Sequence, residues 1–236
     1  AAAASDGASA DGSRKRRRAD GGPAATVASV APRDAQRSSL SQKGYCVFPK
    51  LVRGDLDAWI RERIAPKELS FYPGWRASDF FHSAPSEPGV PISAALQPLR
   101  ALLPGIEAAA SAVAGEALVV LQANATLYCD ATNKNLGDHR DGSPFSVIVH
   151  VSATRPETSG LEVEGERVVF NEPGSAVLLR GDEKLHRSVP VRPGEDRLVL
   201  VMFLDRADAR PPAYATAASA CPVSFLPVDG AAPLAR

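Results

Sequence analysis

The chain has 236 residues, 44% of them hydrophobic, and 27 basic against 27 acidic residues give a formal net charge of zero. That length and composition fit one core with tails, and the balanced charge excludes a protein that gathers nucleic acid or anionic membrane by its overall field. Cys46, Cys129 and Cys221 show no C-x-x-C spacing, which excludes a disulfide framework or thiolate zinc site and predicts a reducing, intracellular setting.

No apolar run approaches the roughly 18 to 20 residues of a membrane span, and no signal-type apolar region opens the chain. Residues 1–39 are mostly Ala, Gly, Ser, Asp and Arg, a composition that cannot offset the entropy of ordering, so a disordered tail is predicted. Within it, Arg14-Lys15-Arg16-Arg17-Arg18 is readable as a nuclear import signal or as a solvated charge cluster, leaving nuclear or cytoplasmic location open. Asp6, Asp11 and Asp20 speak against an organellar transit peptide, which is poor in acids.

Order is predicted to begin near Leu40. Lys43-Gly44-Tyr45-Cys46-Val47-Phe48-Pro49 reads as a short strand closed by proline. A helix follows, with Asp55 as N-cap and Leu56, Trp59, Ile60 and Ile64 at helical spacing before Pro66. Residues 71–91 hold Tyr72, Trp75, Phe80, Phe81 and His82 among Pro and Ser without a clear period. A long loop or lid is expected there, with His82 in a packing patch rather than in catalysis. Residues 94–103 predict a helix broken at Pro104 and resumed from Ile106 to about Ala114, where Gly115 can cap it.

From residue 117 the texture changes. Apolar or alternating segments at 117–129, 145–152, 160–163, 167–170, 175–179, 186–191 and 197–204 are separated by Gly, Pro, Asn and Asp, the pattern of a sandwich or barrel. The predicted class is an all-β core with flanking helices (α+β): a domain over 40–206, with helical support over 50–115 and the β core over 117–205. Residues 207–236 form an Ala/Pro-rich C-terminal extension in which only 223–226 is expected to pack.

The chemistry gathers at Gly137-Asp138-His139-Arg140-Asp141-Gly142. His139 and Asp141 are two apart, so on an extended segment their side chains leave one face. With His186 from a distant strand, two imidazoles and a carboxylate make the facial triad of a non-haem Fe(II) site, three positions being left open. His150, between Val149 and Val151, is read as a hydrogen-bonded structural histidine and not as a ligand. Arg197 opens an apolar strand, where a guanidinium is costly to bury unless a carboxylate meets its planar fork.

His139-Arg140-Asp141-Gly142, Glu172-Pro173-Gly174-Ser175-Ala176-Val177-Leu178-Leu179, Leu185-His186-Arg187-Ser188-Val189-Pro190-Val191 and Gly194-Glu195-Asp196-Arg197 resemble the Fe(II)- and 2-oxoglutarate-dependent dioxygenases of the prolyl-4-hydroxylase-like branch. The resemblance covers roughly residues 40–204. It implies a double-stranded β-helix (a cupin-like jelly roll), Fe(II) on His139, Asp141 and His186, and 2-oxoglutarate held through its distal carboxylate by Arg197. Tyr128 stands where some members place a second contact to 2-oxoglutarate and reads equally as a core aromatic; Asn124 is a weaker alternative. The implied reaction hydroxylates a C–H bond with oxygen and releases succinate and CO2, with ascorbate as reductant.

Two departures stand out. Val199 occupies the serine position of the family's Arg-x-Ser, and Ser159-Gly160-Leu161-Glu162-Val163 replaces its Gly-Gly-Glu-Thr. A protein or peptide hydroxylase is the leading expectation, with a small-molecule hydroxylase of the phytanoyl type as alternative. A nucleic-acid demethylase of the AlkB type would want a second arginine where Phe203 stands, so nucleic acid is not expected as a partner. A non-catalytic jelly-roll binding module is the reading from outside enzymology.

Overall fold

The computed structural model describes residues 25–27, 34–64, 70–72, 75–83, 92–129, 137–158, 160–208 and 226–227. In chain order the elements are β1 (Thr26–Val27), α1 (Asp34–Lys43), β2 (Tyr45–Phe48), β3 (Val52–Arg53), α2 (Asp57–Arg63), β4 (Ser70–Tyr72) and β5 (Trp75–His82). A 3-10 helix (Ala94–Leu102) runs into α3 (Leu103–Ala114), followed by β6 (Leu118–Cys129), β7 (His139–Arg140) and β8 (Phe145–Ala153). The remaining strands are β9 (Leu161–Val163), β10 (Glu166–Val168), β11 (Ala176–Leu179), β12 (His186–Ser188), β13 (Asp196–Arg206) and β14 (Leu226–Pro227).

These strands form a seven-stranded sheet in the order β2-β11-β8-β13-β6-β5-β4 and a five-stranded sheet in the order β10-β9-β12-β7-β14, with β1-β3 as a separate ribbon. Every pairing is antiparallel. Together the two sheets make the jelly roll expected from the motifs.

Strand alternation divides the core in two. On β13, Leu198, Leu200, Met202 and Leu204 join Val147 and Val149 of β8 and Ala123 and Ala125 of β6 in a cluster shared with Leu96, Leu99, Ile106 and Val113 of the helices. The opposite face carries Ile148, Val177, Leu179 and Val199, which pack with Leu161, Val163, Val168 and Phe170 toward the smaller sheet. A period of two puts successive side chains on opposite faces, so one long strand serves both clusters. Fully burying each Val, Leu, Ile, Met or Phe side chain among them contributes about 1.5–3 kcal/mol.

The helices follow their local signals. Gly115 ends α3 in a left-handed conformation (φ 79°) with its amide on Ser111 O, whereas the N-cap of α2 is Leu56, without a side-chain capping bond, and not Asp55, whose Oδ1 accepts the Asp57 amide at 3.1 Å from one residue further out. Pro104 lies in the first turn of α3, where its missing N–H has no partner to lose, so it opens a helix instead of breaking one.

Other expectations are corrected. Strand and helix begin at Thr26 and Asp34, inside the stretch read as a disordered tail, because α1 buries Leu40 against the core. Within the expected loop or lid at 71–91, residues 71–72 and 75–82 are instead strand, β4 pairing with β5 and β5 with β6. A bulge between Asp79 and Phe81 interrupts the period of two in β5, which hides the strand in the sequence. The basic run at 14–18, residues 84–91 and nearly all of 209–236 lie outside the described residues; Leu226–Pro227 pairs with β7. No helix among the described residues is long and apolar enough to cross a membrane.

Candidate metal centre

The smaller sheet sets His186, first residue of β12, directly opposite His139, first residue of β7. Asp141 follows β7, and its amide donates to Gly181 O at 2.8 Å. All three side chains are buried, and one ligand atom from each lies within 4.8 Å of the others. His139 Nε2 is 3.6 Å from Asp141 Oδ1 and His186 Nε2 is 3.5 Å from Asp141 Oδ2.

The opposite ring nitrogens are also engaged. His139 Nδ1 lies 2.8 Å from Gly137 O and His186 Nδ1 2.9 Å from Lys184 O. A carbonyl only accepts, so each Nδ1 is the donor there, which turns each Nε2 toward Asp141 and makes it the nitrogen that would ligate a metal. The Ser146 hydroxyl donates to Asp141 Oδ2. Gly181 closes the back of the carboxylate: a Cβ there would stand 2.8 Å from Asp141 Oδ2 and from Ser146 Oγ.

The charges are arranged for a cation. Burial and then His186 hold His139 below the usual histidine range. Burial acts the same way on His186, but the hydrogen bond and charge of Asp141 outweigh it and raise it. Burial would raise Asp141 too, yet His186, His139 and Ser146 together hold it down as a carboxylate. A buried carboxylate beside two imidazole nitrogens suits a divalent ion of intermediate softness such as Fe(II).

Arg197 is 3% exposed. Its Nη2 donates to the Ser188 hydroxyl and its Nη1 to Gly160 O at 3.4 Å, while its Cζ lies 4.6 Å from the ring centroid of Tyr128, its cross-strand partner. Among the described residues no carboxylate pairs with it. The adjacent acids are engaged elsewhere, Asp196 with Arg61 at 2.8 Å and Glu195 with Arg155 at 3.0 Å. A buried guanidinium so placed calls for an anion.

His150 stands apart from the cluster, as expected. It is buried inside β8 with the ring of Phe170 edge-on at 6.4 Å, and burial, then Arg197, push it down to about 4. His82 ends β5, opposite Gln122. Asn124 lies on the β6 face that carries Tyr128, its carbonyl taken by Thr126 Oγ1 at 2.7 Å.

Three residues escaped the sequence reading. Ser188 brings to Arg197 a hydroxyl of the kind that Val199 lacks; it lies two residues after His186, on the same face of β12. Ser146 could have been found from its alternation with Ile148 and His150. Gly181 left no local signal.

No protein-family model matches the chain, and no curated protein matches it in sequence. Solved structures match its fold. The non-haem α-ketoglutarate-dependent epimerase SnoN from nogalamycin biosynthesis superposes with a TM-score of 0.58 at 17% identity, over 86% of this chain and 92% of that one. HygX from Streptomyces hygroscopicus, solved with nickel and 2-oxoglutarate bound, gives 0.54 at 15%, over 75% and 89%. An oxidoreductase of the 2OG-Fe(II) oxygenase family from Burkholderia pseudomallei gives 0.52 at 14%, over 76% and 93%. The chain has the jelly-roll fold of the 2-oxoglutarate-dependent oxygenases.

Proposed function

We propose that the protein is an Fe(II)- and 2-oxoglutarate-dependent oxygenase that oxidises a C–H bond of a small-molecule substrate. One observation carries the reading: a buried two-histidine, one-carboxylate cluster shares its barrel with a buried arginine that no described carboxylate neutralises. A metal and a dicarboxylate answer both.

His139 Nε2, His186 Nε2 and Asp141 would hold the iron. When bound, iron with 2-oxoglutarate and oxygen supplies the chemistry that releases succinate and CO2 and oxidises the substrate. The chain's part is positioning. Arg197 pairs with the distal carboxylate of 2-oxoglutarate, its fork fixed by Ser188 and braced on Tyr128. Leu161, Val163, Phe170 and Val199 keep water from that pairing and so strengthen it. Ser146 and Gly181 fix the Asp141 carboxylate.

A small-molecule substrate is favoured over a peptide. The SnoN and HygX structures include complexes with nogalamycin RO and hygromycin B. The AlkB-type reading is weaker, since Phe203 is buried where a second arginine would stand.

Equilibrium dialysis tests the reading. One equivalent of Fe(II) should be retained anaerobically, with 2-oxoglutarate retained in a metal-dependent way; 2-oxoglutarate binding indifferent to metal contradicts it.

A further inference from the structure

The inner face of the large sheet changes character at β13. Toward β2 it is mainly apolar, with Ile148, Val177, Leu179 and Val199 around Ser146 and His150. On β6 the same face carries Gln122, Asn124, Thr126 and Tyr128, all buried, and β5 adds Asp79. Gln122 pairs with Phe203, Phe203 pairs with Ser146, and Ser146 holds Asp141. Strands in a sheet are about 4.8 Å apart, so the backbone of Gln122 lies about 10 Å from that of Ser146, within the span of a small molecule.

Gln122 Nε2 donates to both oxygens of Asp79, at 3.1 and 3.0 Å. That contact fixes the amide's orientation and leaves Gln122 Oε1 buried, with no hydrogen-bond partner among the described residues. Asp79 and Gln122 are 6% and 7% exposed. No lysine or arginine among the described residues forms an ion pair with Asp79. Burial raises its pKa, against the Gln122 hydrogen bond and the charge of His82. What remains unfilled is acceptor capacity only: a carboxylate and an amide oxygen side by side, both shielded from solvent. Such a pair repels anions and is satisfied by a cationic donor.

We infer that Asp79 and Gln122 form an amine subsite beside the metal centre, holding the ammonium group and an adjacent hydroxyl or N–H donor of a small-molecule substrate. The inference rests on the oxygenase reading and adds to it a substrate class. The ammonium meets Asp79, the neighbouring donor meets Gln122 Oε1, and the rest of the molecule reaches past Phe203 toward the Asp141 side of the metal.

The test uses the full chain loaded with Ni(II) and 2-oxoglutarate, and ethanolamine as the smallest probe with both donors. Calorimetry should show ethanolamine binding to wild type and at least tenfold weaker binding to Gln122→Leu and to the isosteric Asp79→Asn, with Ni(II) and 2-oxoglutarate binding unchanged. In a crystal soaked with ethanolamine, its nitrogen should lie on Asp79 and its hydroxyl on Gln122 Oε1. Equal ethanolamine affinity in all three proteins, or ordered water alone at both acceptors in the soaked crystal, overturns the inference. Wild type that loads nickel and 2-oxoglutarate but ignores ethanolamine contradicts the amine subsite alone. Wild type that fails to load them contradicts the oxygenase reading beneath it.

Discussion

His139 and His186 face one another as a cross-strand pair, with ring centroids 4.3 Å apart and Asp141 closing the triangle through both Nε2 atoms. Two buried imidazoles this close resist holding two protons, and the anion between them favours a positive charge in their midst. The arrangement suits a cation, and the residues that fix its geometry can be tested one at a time.

Ser146 holds one oxygen of Asp141. Removing such a partner frees the carboxylate to rotate, so Ser146→Ala should weaken Ni(II) or Co(II) binding about 10- to 100-fold. Metal titration checks this, with circular dichroism to confirm an intact fold. Unchanged affinity would mean that Ser146 only fills space.

Gly181→Ala tests crowding. The added Cβ would meet Asp141 Oδ2 and Ser146 Oγ at 2.8 Å and Asp141 Cβ at 2.9 Å, so side chain or backbone must move. Overpacking of this kind costs about 1–3 kcal/mol. Urea denaturation should show that loss, and metal affinity should fall with it.

Arg197→Ala should weaken 2-oxoglutarate binding by about 30-fold or more, as expected when one partner of a buried, hydrogen-bonded charge pair is removed, while metal affinity changes little. Arg197→Lys keeps the charge without the fork and should recover only part of the loss. Ser188→Ala should act in the same direction more mildly, through the guanidinium it holds. Equal losses for metal and 2-oxoglutarate would contradict the assignment of Arg197.

His150 gives a pH signature. Burial and Arg197 push it down to about 4 in the folded protein, against about 6.5 in an unfolded chain. The fold keeps the ring neutral, so this contribution is fully present above pH 6.5. It is lost as pH falls toward 4, by about 3 kcal/mol in all. Urea midpoints of wild type and His150→Gln at pH 7 and pH 4 should diverge accordingly, wild type losing more. His139 and His186 titrate in both proteins and cancel in the comparison. Parallel loss would contradict a neutral buried His150.

What the sequence made legible follows from locality. His139 and Asp141 are two residues apart, and the apolar segments around His186 and Arg197 carry their period in plain view, so the candidate ligands and the barrel strands could be read directly. Ser188 on Arg197 is a contact between strands nine residues apart, which no spacing rule announces. Gly181 matters for what a Cβ would strike, a property of the folded chain alone. The Trp75–His82 strand was hidden by its bulge and by Asp79, a charged residue facing inward. Helix α1 was hidden because one buried leucine, Leu40, anchors an otherwise polar segment.

The central claim is tested most directly by succinate formation from 2-oxoglutarate with Fe(II), ascorbate and oxygen, wild type against Asp141→Ala. Slow, iron-dependent turnover should occur in wild type without added substrate and vanish in Asp141→Ala, whose fold should survive because the residue lies beyond the end of β7. No succinate from iron-loaded wild type, or equal succinate from both proteins, would contradict an oxygenase centred on His139, Asp141 and His186.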